Sequence, residues 1–171
     1  VVQAVTHEKM TLDELGGSSV HCQLSGTHIS SCTFILLLHV GVCHGAFEDE
    51  IGALTGVREL LRFLPQNCHQ QAPKLTTADP KDRQDACLEG IVPWDMNKSY
   101  DVRTILSRLV DNRHFMELQA EHAENIVIGF GRLGGMSVGF VANQPNQSSG
   151  VLDINASCKA ARFVRFCDAF S

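Results

Sequence analysis

One stretch decides most of what this chain can fold into: "NIVIGFGRLGGMSVGFVANQP", residues 125–145. Two apolar runs, Ile126–Arg132 and Met136–Ala142, flank Leu133-Gly134-Gly135. Runs of this length around a glycine turn predict two antiparallel strands in a hairpin. Both runs are continuously apolar, which predicts a sheet covered on two faces. Gly129, Gly131 and Gly139 leave room for a close neighbour against the backbone. Helical periodicity follows over Asn155–Phe170, with Ala156, Ala160, Phe163, Val164 and Cys167 expected inward and Lys159, Arg162 and Arg165 mostly outward. The order strand–strand–helix is a ββα unit, so the fold class is α/β.

Upstream, Phe47, Ile51, Leu54, Val57, Leu61 and Leu64 repeat at helical spacing. Acidic residues open that helix, Arg58 and Arg62 lie near its end, and Pro65 stops it. Residues 65–99 carry four of the five prolines without periodicity, which reads as a linker. Tyr100–Val110 is a short amphipathic helix with Val102, Ile105 and Leu109 on one side. Near the start, Thr11 and Glu14 have capping-box spacing ahead of Gly16–Gly17.

Residues 25–50, "SGTHISSCTFILLLHVGVCHGAFEDE", interrupt this order. The apolar run Phe34–Cys43 is far short of the roughly 20 residues a bilayer-spanning helix needs. A formal charge of -5 with scattered Lys and Arg excludes the basic face of a general nucleic-acid binder and an anionic-membrane surface. Seven cysteines, odd in number and without a C-x-x-C pair, fit reduced thiols rather than a disulfide framework.

Familiar chemistries find little purchase. Cys22, His28, Cys32, His39, Cys43 and His44 lack the compact paired spacing of a zinc site. Ser148-Ser149-Gly150 is a turn rather than a nucleophile elbow. Gly129-x-Gly131-x-x-Gly134 fits a phosphate-loop pattern in letters only, because no helix follows it. Asp111, Glu117 and Glu121 read as solvated helix-face carboxylates. Arg132 closes a buried strand, where a charge needs an anion beside it unless the residue is a surface hairpin arginine.

The segments "VTHEKMTLDELGGSSVHCQLSG", "AFEDEIGALTGVRELLRFLP", "YDVRTILSRLVDNRHFMELQ", the hairpin and "SGVLDINASCKAARFVRFCDAF" together closely resemble the biotin-dependent acyl-CoA carboxyltransferases. "AFEDE" and "VRFCDAF" resemble the propionyl branch. The resemblance covers all but about residues 27–41. It implies a crotonase-like fold of ββα superhelical units in two domains. Residues 1–73 would end the N-domain, which handles acyl-CoA, and 74–171 would be linker and the start of the C-domain, which handles biotin. The implied reaction moves a carboxyl group from carboxybiotin to propionyl-CoA, giving methylmalonyl-CoA, with another short acyl-CoA such as acetyl-CoA, or a non-catalytic fragment that only packs against other subunits, as the alternatives. The biotin anion serves as base, and backbone N–H groups hold the oxyanions. Biotin rides on a biotin-carrying α subunit, the chain assembles as a β–β homo-oligomer, and the implied location is the mitochondrial matrix. Neither nucleic acid nor membrane enters as a partner.

The family's two Gly-rich oxyanion segments fall outside residues 1–171, so the expectation is an excerpt that folds poorly and is inactive alone. The resemblance assigns catalytic residues to none of these positions. It places Arg132, and Asn143, Gln144 and Pro145 of "NQP", beside the substrate or biotin site. Without Thr27–Gly41 the sequence reads "LSGVCHGAFEDE", close to the family's uninterrupted pattern, and the 15 extra residues keep the frame. Gly26–Thr27 permits a splice-donor GT, Phe34–Leu38 a pyrimidine-rich tract, and Val40–Gly41 an acceptor AG. A retained intron is the expectation, with a real insertion as the alternative.

Overall fold

The computed structural model describes residues 44–170 apart from 46, 48, 68, 81 and 96. The expected Thr11–Glu14 turn, the 27–41 stretch and five members of the His/Cys set lie outside those residues. The chain forms two compact units, Val1–Val57 and Arg58–Ser171.

Helix α1 spans Glu50–Leu61. The Asp49 carboxylate accepts from the Gly52 amide at 2.6 Å, satisfying one of the orphan donors of the first turn. The helix stops before Pro65 through the tight turns Arg62 N to Glu59 O and Phe63 N to Leu60 O. Its buried positions are Ala53, Gly56 and Leu60. Ile51, Leu54 and Leu61, expected inward, are exposed. Periodicity gave the helix correctly, but tertiary neighbours set which stripe is covered.

In the second unit three strands make one antiparallel sheet in the order β1 (Met116–Leu118), β2 (Ile126–Leu133), β3 (Met136–Asn143). The β2–β3 register runs from Ile126 opposite Asn143 to Leu133 opposite Met136. Gly134 and Gly135 form the two-residue turn at φ +59° and +82°, values that a primed hairpin turn demands and glycine supplies. β2 is central and almost wholly buried. β3, expected to be covered on both faces, is alternately exposed: Phe140 and Ala142 on one face pack against a core, while Val141 on the other is exposed.

Helix α2 (Val102–Leu109) covers one sheet face, placing Val102 and Leu106 against Val127, with Tyr100, Phe115, Phe140 and Ala142 around them. Leu109, expected inward, is exposed. The opposite face carries helix α3 (Ile154–Ala169) and the residues just after α1. Leu60, Phe63, Leu118, Ile128, Phe130 and Phe163 form that core. Phe130 sits between Phe63 at 5.7 Å and Phe163 at 5.1 Å. A Cβ on Gly139 would meet Cys167 Sγ at 2.8 Å and Phe163 at 3.2 Å, so this glycine lets α3 approach the edge strand. The buried stripe of α3 is Ala156, Lys159 and Phe163. That overturns two expectations: Val164 is exposed, and Lys159 points in.

Residues 65–99 contain a 3-10 turn, Ala86–Gly90, and otherwise no regular element among the described residues. They are nonetheless strapped to the sheet unit. Leu75 N donates to Gly135 O at 3.0 Å, and Asn112 N donates to Asp79 at 2.7 Å. Arg83 reaches the last carbonyls of α2, those of Arg108, Leu109 and Val110, where a helix C-terminus favours a cation.

Candidate functional site

The residues expected to border a site lie at opposite ends of the hairpin. Arg132 pairs with Ser137 next to the turn, whereas Asn143 pairs with Ile126 at the open end. Six residue steps of strand separate them, about 20 Å. They therefore cannot serve a single small ligand group.

At the turn end, Arg132 Nη2 donates to Arg62 O at 2.8 Å, and its guanidinium lies 4.3 Å from the Phe63 ring centre. A cation over an aromatic face is favourable, more so when partly desolvated. Nε is buried without an acceptor. Burial, reinforced by Arg62 nearby, pushes the Arg132 pKa down. The anion that sequence reasoning sought is thus a carbonyl and a π-face.

The same end holds a residue misread from sequence. Asp111 is buried, in a 3-10 turn (Asp111–Arg113) and not on a solvated helix face. Its carboxylate accepts from Gly134 N at 3.1 Å and Gly135 N at 2.7 Å. Two successive amides in left-handed conformation make an anion nest, and Asp111 fills it. Glu117 was also misread: it lies in β1 and takes a bidentate bond from Arg103, 2.7 Å on each oxygen. Beside the turn a cleft of 420 Å³ is lined by Lys74, Arg83, Arg108, Asp79, Asp85 and Asp111 among others. Its charges are largely matched, Arg83 to Asp79 at 2.6 Å and Arg108 to Asp85 at 3.0 Å.

At the open end Gln144 is fully buried. Its Oε1 accepts from Val102 N at 3.1 Å, and its Nε2 donates to Asp101 at 2.6 Å. Asp101 is the N-cap of α2, so Gln144 supplies that helix with a second capping acceptor. Asn143 Nδ2 donates to Gly150 O at 3.0 Å, and Pro145 lies between them in the turn. Ser148 and Ser149, both at positive φ, form the 3-10 turn expected from "SSG".

Sequence reasoning missed Lys159. It is 2 % exposed, and its Nζ donates to four backbone carbonyls: Gln119 at 2.9 Å, His122 at 2.6 Å, Ala123 at 3.2 Å and Ile126 at 2.9 Å. Burial pushes its pKa down to about 8, with Glu117 and Glu124 opposing and Arg103 assisting. The four carbonyls also favour the charged form. The available signal was its spacing, three after Ala156 and four before Phe163, inside the small and apolar stripe.

Among the described residues, the glycine pair at the turn end and the Gln144 amide at the open end are not free to donate to a ligand. Gly134 and Gly135 spend theirs on Asp111, and both ends of the Gln144 amide are taken.

Comparison with known proteins places this architecture. The carboxyl transferase domain model matches residues 35–171. The mitochondrial propionyl-CoA carboxylase beta chain of Mus musculus is 42% identical over 171 residues, all of this chain and 29% of that protein. The biotin-dependent acetyl-/propionyl-coenzyme A carboxylase beta5 subunit of Mycobacterium tuberculosis is 43% identical over 178 residues, 100% of this chain and 30% of its own length. The chain therefore spans less than a third of these relatives. Among solved structures, a transcarboxylase 12S hexamer with methylmalonyl-coenzyme A bound superposes with TM-score 0.86 at 41% identity, covering 99% of this chain and 30% of that one. The α/β fold is that of the crotonase-like carboxyltransferases. With four-fifths of its length inside the domain model and its hairpin, helices and core superposing on the transcarboxylase, the chain belongs to the carboxyl transferase domain family.

Proposed function

We propose that the protein carrying this chain is the carboxyltransferase component of a biotin-dependent acyl-CoA carboxylase, moving a carboxyl group from carboxybiotin to propionyl-CoA to give methylmalonyl-CoA. The observation that carries this reading is the 0.86 superposition, at 41% identity, on a transcarboxylase core with methylmalonyl-coenzyme A bound. Biotin is carried by a partner α subunit, the β subunits associate with one another, and the matrix location follows the mouse relative, which is mitochondrial. Residues 1–73 close the acyl-CoA domain, and 74–171 begin the biotin domain. Residues 27–41 are an addition to the family pattern, and sequencing the mature transcript across those 15 codons tests it.

The biotin ureido oxyanion calls for paired backbone donors. The Gly134–Gly135 pair and the Gln144 amide do not fit that role, because Asp111, Asp101 and Val102 occupy them. No step of the transfer runs through them. Arg132, Asn143, Gln144 and Pro145 instead border the site as positioning residues. Arg132 ties the turn end to the chain after α1, and Asn143–Pro145 tie the open end to α2.

The test incubates the full-length protein with methylmalonyl-CoA and free biotin. Biotin-dependent release of propionyl-CoA supports the reading, and methylmalonyl-CoA left intact overturns it. The M. tuberculosis relative, named for both acetyl and propionyl substrates, favours a second reading in which acetyl-CoA is also accepted. A kcat/KM for acetyl-CoA within tenfold of propionyl-CoA would establish it.

A further inference from the structure

We propose that Lys159 is the positioning residue of the open end of the hairpin: its ammonium is the resident cation of a backbone-carbonyl cage, and that cage holds the Gln119–Asn125 loop on which the Asn143–Gly150 turn rests. Three carbonyls of this loop and that of Ile126, the first residue of β2, converge within 2.6–3.2 Å of a single nitrogen. An ammonium has three protons, so one is shared, and Ala123 O at 3.2 Å is the longest bond. Gln119 and Ala123 stand at φ +52° and +45°, conformations that L-residues keep only when their surroundings hold them there. Without the cation, four carbonyls drawn together would repel one another and lack donors.

The loop passes this order on. Asn125 O accepts from Gln144 N at 2.9 Å, and Asn125 Nδ2 donates to Val151 O at 2.6 Å. Glu124 accepts from Gln147 Nε2 at 2.9 Å. Gln144 in turn caps α2. The charged groups nearest Nζ are Glu117 of β1, paired with Arg103 of α2, and Glu124 of the loop itself, with His122 contributing its carbonyl. No carboxylate completes an ion pair with Lys159 among the described residues, so the cage is built of dipoles. Backbone carbonyls can replace the hydration shell of a monovalent cation, and Lys159 delivers its ammonium into them on a covalent arm.

The inference rests on the preceding reading only where it takes the Asn143–Pro145 turn to border the site. The experiment uses the full-length protein bearing Lys159→Ala, read by amide hydrogen exchange. Gln144, Gln147 and Gly150 amides should exchange faster by roughly tenfold or more, while the Gly134, Gly135 and Leu75 amides at the turn end stay protected. Propylammonium, which carries the three carbons and the nitrogen that the substitution removes, should restore protection. Neither propanol nor tetramethylammonium should. Uniform loss across the hairpin, no loss, or rescue by propanol would each overturn the proposal. If the variant fails to fold, the wild-type protein decides: a slowly exchanging Lys159 NH₃⁺ resonance is expected, and a rapidly exchanging one overturns the proposal. Carboxyl transfer is assayed in parallel. The dissociated exchange pattern in Lys159→Ala, together with a wild-type protein that shows no transfer, would sink the functional reading and leave the cage standing.

Discussion

The two ends of the β2–β3 hairpin solve the same problem with opposite charges. At the turn end, two amides point inward and a buried carboxylate, Asp111, binds both. At the open end, four carbonyls point inward and a buried ammonium, Lys159, binds all four. A backbone forced into left-handed turns cannot pair its polar groups within a ladder, so each end recruits one charge of the complementary sign. The turn end is also strapped by Leu75 and by the Arg83–Asp79 pair. The open end has the Arg103–Glu117 pair at 2.7 Å beside it but gathers four acceptors on one cation, which makes it the more vulnerable of the two.

Removing the cation should therefore cost most. Lys159→Met is expected to destabilise the full-length protein by about 3–5 kcal/mol, because it strands several buried acceptors. Its denaturation midpoint measures this, and a loss below that of Asp111→Asn would reverse the ranking. Asp111→Asn should cost about 2 kcal/mol: one amide keeps an acceptor, and the other faces an NH₂. Exchange should then quicken at Gly134 and Gly135 but not at Gln144. Gly135→Ala should cost about 1–2 kcal/mol, since φ +82° disfavours a side chain and its Cβ would run into Leu75 O. Loss of Leu75 amide protection is its signature.

A pH dependence separates burial from the cage. Burial pushes the folded-state pKa of Lys159 down to about 8, from its usual 10.5. Acting alone, burial would make the folded state release this proton before the unfolded state does, so stability would rise between about pH 8 and 10.5, and the four carbonyls that hold the charged form oppose that rise. Lys159→Met should flatten that rise, and an equal rise in the variant would assign it to other groups.

Much of this was legible in the residues. The glycine turn and flanking apolar runs gave the hairpin to within a residue, and the periodic stretch Asn155–Phe170 gave α3 equally closely. β1 was not legible: three residues, Met116–Leu118, are too few for a period to show. The faces of α1 and α2 came out rotated, since apolar spacing reports a stripe but not the partner that covers it. Asp111 and Lys159 were read as solvent-facing because charge is the usual sign of exposure. Their partners are backbone atoms, which carry no letter in a sequence. The candidate site was legible only through family resemblance, and the structure separates its members by the length of the hairpin.

The most direct test of the whole account follows a labelled carboxyl group. The full-length protein is mixed with a biotin-carrying subunit, charged with ¹³C-carboxybiotin, and with propionyl-CoA, and the product is weighed by mass spectrometry. The account predicts ¹³C in the free carboxyl of methylmalonyl-CoA. Release of the label as bicarbonate with propionyl-CoA unchanged would contradict it.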